Sequence, residues 1–428
     1  MPTAHQARRE RVLEAIRPGA LLVFAAPVAL RNNDVEHEYR QDSDFYYLTG
    51  LDEPESVLLL RSEAPHFVLF VRPRDPDRET WDGPRAGVEG ARDRFGADEA
   101  YPIEALDARL LELLKGVPRL YYALGGAGDA RVLSTLAKLR RRERQGTEWP
   151  TSIIEPAEVL HELRLRKQPE EIELMRRAIA ITREAHLEVM RAARPGAHEY
   201  ELEAILRRVF RAGGSERPAY SPIVGSGPNA TILHHTKNDR KIRDGELILV
   251  DAGCEYGYYA ADVTRTFPVS KRFDATQRAV YEIVLAAQLA AIERVRPGST
   301  VFEVHSAALD VIVDGLIDLG LVEGPRATAI EEKRYSPFFM HGTSHWLGMD
   351  VHDVGRYRKS GAARPLEPGM VLTVEPGIYI AQDARVDPRF AGIGVRIEDD
   401  VLVGPDGPIV LSADVPKTVE EVERACAG

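Results

Sequence analysis

Four acidic residues end or interrupt apolar runs that read as β-strands, and this pattern constrains the fold more than any other feature of the sequence. They are Asp251, Asp262, Glu375 and Glu398. Acidic side chains are almost never fully buried unless they are paired. A chain that places four of them in apolar strands must therefore bring compensating charge to the same place.

The first two acids belong to a predicted β-hairpin. Asp251 ends one strand, a turn is expected at Tyr256-Gly257, and a second strand is predicted for residues 260–269. In a hairpin with that two-residue loop, the residue numbers of every directly opposed pair sum to 513. The residue numbers 251 and 262 also sum to 513, so Asp251 and Asp262 are predicted to form such a pair. The two carboxylates are then directly opposite, with Cβ atoms about 4.5–5.5 Å apart. Their repulsion calls for a shared proton, basic neighbours or a bound cation, unless both side chains are solvated at the hairpin rim.

The later two acids follow the same pattern. Glu375 ends the apolar run 371–374, and Glu398 ends a second short apolar strand that also contains Arg396. Arg396 precedes Glu398 by two residues, so the two side chains share one face of the strand. One guanidinium neutralises one carboxylate, but it cannot balance four.

Histidines add a further kind of metal ligand. Five of the twelve lie in two short segments, namely His234, His235, His341, His345 and His352. A single histidine is usually structural, but such a density in glycine-rich sequence is unusual. Four carboxylates and a histidine suit two divalent ions, most readily Mn(II), with Co, Fe or Zn also allowed. Two such ions can share a hydroxide and polarise a carbonyl, so the residues predict metal-assisted hydrolysis.

Composition excludes several other classes of protein. The net charge of −11 argues against binding nucleic acid through bulk electrostatics. Two cysteines, Cys254 and Cys426, cannot build a disulfide framework or a cysteine-rich zinc site, which fits a reducing cytoplasm. No apolar run reaches the roughly 18 residues of a membrane helix. The run 20–30 follows several arginines, but Glu10 and Glu14 dilute that charge, so we interpret it as a buried strand rather than a signal peptide.

A length of 428 residues predicts two domains, and the pattern breaks around residues 145–156. We therefore expect an N-terminal α/β domain at 1–155 and a catalytic domain at 156–428. In the first, the segment 74–90 is rich in charge, proline and glycine and is predicted to be a loop. Its Trp81 is either a loop anchor or a contact to substrate or another subunit.

The second domain is predicted to contain an internal duplication. Two pairs of helices each flank the tripeptide Arg-Pro-Gly, at 194–196 and at 296–298, and strand-rich sequence follows each pair. The same tripeptide occurs at 17–19, so it is the recurrence of the whole arrangement that carries this prediction.

The acids and histidines lie in motifs that resemble those of the pita-bread metallopeptidases, which include methionine aminopeptidase, prolidase and aminopeptidase P. The motifs are Asp251-Ala-Gly, Asp262-Val-Thr-Arg-Thr-Phe, His341-Gly-Thr-Ser-His345, Val351-His352-Asp353, Val374-Glu375-Pro-Gly and Arg396-Ile-Glu398-Asp. The segment from Tyr39 to Gly50, together with Trp346, is most similar to bacterial aminopeptidase P. The resemblance implies a creatinase/aminopeptidase P N-terminal domain followed by an α+β pita-bread domain with a pseudo-twofold duplication.

The resemblance also implies a ligand set. Its five members are Asp251, Asp262, His345, Glu375 and Glu398, with Asp262 and Glu398 bridging two metals. Asp251 would serve one ion, and His345 with Glu375 the other. Glu375 would also be the general base on a hydroxide held between the two ions. The implied activity is release of an N-terminal residue that precedes proline.

Substrate contacts are implied in the same way. His234 and His352 match positions that contact substrate and assist proton transfer, whereas His341 matches the proline side of the cleft. Second-sphere support would come from Arg396 and Tyr379. Trp81 matches an aromatic residue that reaches a neighbouring subunit's active site, which implies a homo-oligomer, either a dimer or a tetramer. His235 stands where relatives often have tyrosine, and from this we expect altered specificity.

Other activities remain open on the same motifs. Prolidase shares the metal site but cleaves only Xaa-Pro dipeptides, and cleft length beyond proline separates the two enzymes. Methionine aminopeptidase is disfavoured by the large N-terminal domain. A non-catalytic pita-bread protein, or a metal-free creatinase-like enzyme, would be expected to lack part of the ligand set.

Overall fold

The computed structural model describes residues 3–428 and divides the chain into two compact units, Met1–Leu163 and Arg164–Gly428. This division falls within a helix, Ala157–Leu165, that begins just after the predicted boundary at residue 155. Among the described residues, no helix is both long enough and apolar enough to cross a membrane.

The first unit is built on a six-stranded mixed sheet. Its strands, in spatial order, are Glu99–Pro102, Phe67–Val71, Val57–Arg61, Ala20–Phe24, Arg119–Tyr121 and Ser152–Ile154. The strand predicted within 20–30 is confirmed for Ala20–Phe24, which pairs antiparallel with Val57–Arg61 and parallel with Arg119–Tyr121. Both faces of the central strands are buried, which explains their continuous apolar sequences.

Helices cover this sheet, and two of them contradict the loop predicted for residues 74–90. The helices of the unit are Ala4–Ala15, Ser43–Thr49, Pro76–Asp82, Gly87–Asp93, Leu106–Leu113 and Asp129–Arg141, and a small hairpin pairs Leu30–Asn32 with Val35–Glu36. Asp75 accepts hydrogen bonds from the amides of Asp77 and Arg78, and Pro76 occupies the first helical position. The Asp-Pro pair was a helix start that the surrounding proline and glycine obscured.

The second unit contains the predicted duplication. Its helices are Pro169–Ala192, Glu199–Ala212, Ala275–Ile292, Val301–Asp318, Arg326–Glu331 and Val419–Ala427. The first four form the two expected pairs. The glycine of each Arg-Pro-Gly donates its amide to a carbonyl just before the next strands, Gly196 to Ile242 and Gly298 to Leu366, at 2.9 Å in both cases. The same hydrogen bond therefore recurs at the equivalent place within each half.

Strands follow each helix pair. In the first half they are Ile223–Ser226, Leu247–Asp251 and Thr264–Pro268 in one sheet, and Arg217–Pro218, Cys254–Tyr256 and Tyr259–Ala260 in another. In the second half they are Val371–Val374, Asp399–Val403 and Pro408–Val410, with a separate pair, Gly377–Tyr379 and Gly394–Arg396, and a short hairpin of Arg358–Lys359 and Ala362–Ala363. The four acids lie at or beside the ends of these strands.

The predicted hairpin register is wrong by two residues. Asp251 pairs with Thr264, so paired numbers add up to 251 + 264 = 515 rather than 513. The turn is centred on Gly257 and Tyr258, which both have positive φ values, 56° and 70°, as a two-residue hairpin turn requires. A shift of two residues leaves every side chain on its original face. Asp262 therefore becomes a diagonal neighbour of Asp251 and still shares its face.

The strand predicted for residues 260–269 is also interrupted between Ala260 and Thr264. The chain passes so close to its partner there that a Cβ on Gly253 would lie 1.7 Å from the carbonyl oxygen of Ala261. Only glycine fits at that position. The interruption places Asp262 beside the end of the strand that carries Asp251.

Candidate metal centre

One cavity of about 470 Å³ in the second unit brings most of the predicted site residues together. Its walls include the five predicted metal ligands Asp251, Asp262, His345, Glu375 and Glu398, the predicted substrate contacts His234, His341 and His352, and the predicted supporting residue Arg396. Apolar side chains, among them Ile223, Leu233 and Val351, also line the cavity. A concave, largely apolar site with a few converging charged groups is the usual form of a small-ligand site.

Three side chains in this cavity converge as a metal site requires. One ligand atom each from Asp262, His345 and Glu398 lie within 4.8 Å of one another. Nε2 of His345 is 3.4 Å from Oδ2 of Asp262 and 3.5 Å from Oε1 of Glu375. Oxygen-rich donors with a single imidazole nitrogen suit hard to borderline divalent cations. These residues therefore fit a metal ion without rearrangement of the backbone.

The imidazole of His345 is oriented by the chain next to it. Nδ1 lies 3.0 Å from the carbonyl oxygen of Trp346, which can only accept a hydrogen bond, so Nδ1 carries the proton. The Trp346 ring is fully buried and stacks on Tyr357. Nε2 therefore faces the carboxylates, which is the arrangement that fixes a metal-binding tautomer.

Asp251 joins the cluster through a tyrosine that the sequence analysis did not identify. The Tyr220 hydroxyl lies 2.5 Å from Oδ1 of Asp251 and 2.5 Å from Oδ1 of Asp262. It can donate its proton to only one of the two oxygens at a time. Tyr220 is 31 residues from Asp251 in sequence and has no periodic or charge signal, so nothing short of the tertiary structure selects it.

Arg396 is the guanidinium that neutralises Asp251. Its three nitrogens have separate partners: Nη2 donates to Oδ2 of Asp251 at 2.6 Å, Nη1 to the Tyr379 hydroxyl at 2.9 Å, and Nε to the Thr264 hydroxyl at 3.2 Å. Its position two residues before Glu398 predicts that Arg396 offsets an acid on its own strand. Instead it pairs with an acid from the other half of the unit, while Glu398 accepts a hydrogen bond from Thr264 at 2.6 Å.

The acids carry more negative charge than these partners offset. Burial raises the pKa of Glu375 to about 7, although His345 and Arg396 oppose the rise. Burial, followed by the charges of Asp262 and Glu375, raises the pKa of Glu398 well above its ordinary value. Burial also raises the pKa of Asp262, with a further contribution from Asp251. A divalent cation would supply positive charge that balances these carboxylates.

The imidazoles respond in opposite directions. Burial would lower the pKa of His345, but the hydrogen bond and charge of Asp262 raise it to about 9. Burial lowers the pKa of His341 to about 4 and also lowers that of His352. Nε2 of His341 lies 2.8 Å from the Tyr379 hydroxyl, so Tyr379 contacts the cavity wall through His341 and Arg396.

Two predicted residues, Trp81 and His235, are not among the residues that line this cavity. Trp81, in helix Pro76–Asp82 of the first unit, is 86% exposed, which rules out an anchor packed within that unit. His235 is buried and directed to Glu199 and Asn229, with its Nε2 3.0 Å from Oε2 of Glu199. His235 is therefore not in the lining of the cavity, although its neighbour His234 is.

Comparison with known proteins places the chain among peptidases. The profile of Metallopeptidase family M24 matches residues 173–405, and that of the aminopeptidase P N-terminal domain matches residues 5–121. The chain is 46% identical to the Xaa-Pro aminopeptidase of Escherichia coli (strain K12) over 424 residues, which cover 98% of this chain and 96% of that protein.

Solved structures give the same result. Pseudomonas aeruginosa aminopeptidase PepP superposes with a TM-score of 0.97 and 49% identity, covering 99% of this chain and 97% of that one. Zinc-substituted Escherichia coli aminopeptidase P in complex with product superposes with a TM-score of 0.95 and 46% identity, covering 99% and 98%. The pita-bread fold of the second unit and the family of the first unit, both expected from the motifs, are thereby confirmed.

Proposed function

The chain belongs to metallopeptidase family M24, and from that membership we propose that it is a Xaa-Pro aminopeptidase. The reaction is release of the N-terminal residue from peptides with proline in the second position. The observation that carries the proposal is the convergence of Asp262, His345 and Glu398 on one cavity in a chain that matches such an enzyme over nearly its full length.

Two divalent ions, most readily Mn(II), complete the proposed site, with Co, Fe or Zn also compatible. Asp262 and Glu398 would bridge them, Asp251 would hold one, and His345 with Glu375 the other. When bound, such ions activate water as a nucleophile and polarise a carbonyl. Support comes from the mutual proximity of the donor atoms and from the excess negative charge of the acids.

Glu375 is the proposed general base. Its nearest hydrogen-bond donor is the Thr373 hydroxyl, at a long distance of 3.4 Å, whereas Asp251 is held by Tyr220 and Arg396. Its side chain is also the more exposed, at 18% against 12% for Asp251. A base must reach the proton that it removes. Glu375 is thus the carboxylate with the best access to a substrate in the cavity.

The remaining groups are proposed to select an Xaa-Pro bond. Proline has no amide hydrogen and a fixed ring, so a shallow apolar surface can recognise it by shape. Val351 lines the same cavity as the predicted contacts His341 and His352 and supports that assignment. His234 and His352 are proposed to contact the peptide and assist proton transfer, with Arg396 and Tyr379 holding this wall in place.

The proposal extends to assembly and location. A cytoplasmic homo-oligomer, dimer or tetramer, would allow Trp81 to contact a neighbouring subunit, and its 86% exposure leaves it available for this. Light scattering of the purified protein tests the assembly. Trp81→Ala should then raise KM for peptides without changing metal content, whereas a monomer with unaltered KM in this variant would remove this part of the proposal.

A direct test compares a Xaa-Pro dipeptide with a Xaa-Pro-Yaa tripeptide after loading with Mn(II). Hydrolysis of the tripeptide to free Xaa and Pro-Yaa is expected, and hydrolysis confined to the dipeptide would indicate prolidase instead. Exhaustive chelation should abolish the activity and added Mn(II) should restore it. Activity that survives chelation, with no metal by elemental analysis, would overturn the metal mechanism.

A further inference from the structure

Outside the metal cluster, a buried carboxylate supports the segment that carries His234. Glu199, the first residue of helix Glu199–Ala212, is 0% exposed. Its oxygens accept hydrogen bonds from the Ser226 amide and hydroxyl at 2.7 and 2.8 Å and from the Arg240 amide at 3.0 Å. The donors lie 14 residues apart in sequence, so one side chain holds both ends of the segment 226–240.

His235 and Asn229 complete this arrangement from inside the same segment. Nδ2 of Asn229 lies 3.1 Å from Oε1 of Glu199, and Nε2 of His235 lies 3.0 Å from Oε2. A carboxylate oxygen accepts a hydrogen bond and does not donate one. Nε2 of His235 therefore carries the proton and donates it to Oε2 of Glu199. A buried carboxylate is tolerated when it is hydrogen-bonded this fully.

Two neighbouring histidines therefore have different surroundings. His234 lines the metal cavity and is exposed, whereas His235 is buried against Glu199. We propose that Glu199 and His235 are positioning residues that fix the orientation of His234 toward the substrate. Hydrogen bonds from Ser226, Asn229, His235 and Arg240 to one carboxylate leave the backbone between them little freedom to rotate.

The inference rests on the proposed peptidase activity for its kinetic test. Glu199→Gln keeps the shape of the side chain, but its amide NH₂ group then faces groups that themselves donate hydrogen bonds. We therefore expect kcat/KM for a Xaa-Pro-Yaa tripeptide to fall about tenfold or more. Metal content should stay that of the wild type. Glu201→Gln is the matched control, since Glu201 lies in the same helical turn and contacts the His198 amide and Arg194 instead.

A double-mutant cycle separates positioning from general structural damage. In a His234→Ala background, Glu199→Gln should cause less than about a twofold further loss, because the group that it positions is already absent. Fully additive losses, or a Glu199→Gln enzyme as active as the wild type, would overturn the proposal. Should Glu199→Gln not fold, His235→Phe and His235→Gln take its place. His235→Phe removes the hydrogen-bond donor to Glu199 and should lose activity. His235→Gln retains a donor and should recover that activity.

An activity-independent measurement keeps the two proposals distinguishable. The His234 imidazole proton signal, identified by its absence in His234→Ala, should shift or broaden in Glu199→Gln and remain unchanged in Glu201→Gln. An unchanged signal in both variants would reject the positioning role whatever the activity. A wild-type protein that cleaves neither peptide, with a shifted signal in Glu199→Gln, would reject the proposed function alone.

Discussion

The two halves of the catalytic unit have the same backbone plan but different side chains at equivalent positions. Asp251 lies nine residues after Ile242 and Glu375 nine residues after Leu366, the carbonyls that accept the Arg-Pro-Gly amides in the two halves. In the second half, Val374 pairs with Asp399, so extending this ladder by one residue sets Glu375 opposite Glu398. In the first half, Asp251 is opposite Thr264. Each half therefore contributes an acid from the same place.

The halves diverge two residues before Thr264 in the first half and two residues before Glu398 in the second. The amide of Asp262 donates to Asp400, and the amide of Arg396 donates to Thr266, each at 3.2 Å, so these two positions are also equivalent. One half has an acid where the other has a guanidinium. The comparison teaches that the duplication supplies a scaffold that brings strand ends together, whereas the reactive centre depends on breaking the symmetry of the side chains.

The largest effect is expected from the equivalent acids Glu375 and Asp251. Glu375→Gln should lower kcat about 10²- to 10⁴-fold, the usual contribution of a general base, with the circular dichroism spectrum unchanged. Asp251→Asn should instead weaken metal binding, and excess Mn(II) should recover part of its activity. Elemental analysis and steady-state kinetics of both variants make the comparison. Wild-type turnover in metal-loaded Glu375→Gln would contradict the assigned role.

A buried ion pair that joins the two halves should affect stability. Asp353 of the second half accepts from Arg164 at 2.6 Å and from Lys167 at 2.8 Å, and all three side chains are at most 3% exposed. Removing one partner of a buried pair typically costs about 3–5 kcal/mol. Asp353→Asn should lower the free energy of unfolding by that amount in urea titrations. Glu282→Gln, which breaks the exposed Arg278–Glu282 pair, should cost less than about 1 kcal/mol.

The same pair predicts a pH dependence. Burial alone would raise the pKa of Asp353, but Lys167 and Arg164 outweigh it and hold the pKa below the ordinary value. The stabilisation is therefore complete above the unfolded pKa of about 3.9 and is lost as pH falls through the lower folded value. Acid titration of unfolding should show this loss in the wild type and not in Asp353→Asn. Parallel curves for the two proteins would contradict it.

Arg396→Lys tests whether the position that differs between the halves needs a fork of donors. Lysine can reach Asp251 or Tyr379 as a point charge, but it cannot make the three directed hydrogen bonds of the guanidinium. We expect kcat/KM to fall about 10- to 100-fold, which corresponds to loss of one or two charge-assisted hydrogen bonds. Arg389→Lys, at an exposed residue that pairs with Asp387, is the control and should change nothing. Equal activity of all three proteins would rule out a need for the fork.

The smallest expected effect concerns the tight turn of the first half. Gly257→Ala should lower the free energy of unfolding by about 1–2 kcal/mol, because alanine disfavours the positive φ of 56° at that position. The kinetic constants should be unchanged, since the turn lies outside the cavity lining. Gly126→Ala, where φ is not positive and an added Cβ meets open space, should be near neutral. Equal stability of the two variants would contradict the turn geometry.

Much of the site could be predicted because its residues are of unusual types in unusual places. Acids such as Asp251 and Glu375 at the ends of apolar strands stand out locally, and a two-residue error in register did not move Asp262 to the other face. Tyr220 and Glu199 could not be found in this way. A tyrosine or a helix-start glutamate is ordinary in sequence, and only its hydrogen-bond partners in the structure single it out.

Local rules also failed where two of them conflicted. Residues 74–90 contain Pro, Gly and charge typical of a loop, but the Asp75-Pro76 start produces a helix. His235, expected to alter specificity because it stands where relatives often have tyrosine, has its side chain directed to Glu199 and not into the cavity that its neighbour His234 lines. Sequence proximity gives the position of a backbone and not the direction of a side chain.

The sequence by itself determined the family and singled out the residues of the candidate site, since four acids in apolar strands call for compensating charge and the surrounding motifs belong to one family. Only the tertiary structure decided how their charge is shared. Two of the acids have hydrogen-bond partners more than 100 residues away, since Arg396 contacts Asp251 and Thr264 contacts Glu398. Hydrogen bonds depend on distances of a few tenths of an ångström, and no local pattern in a sequence encodes such distances between remote segments.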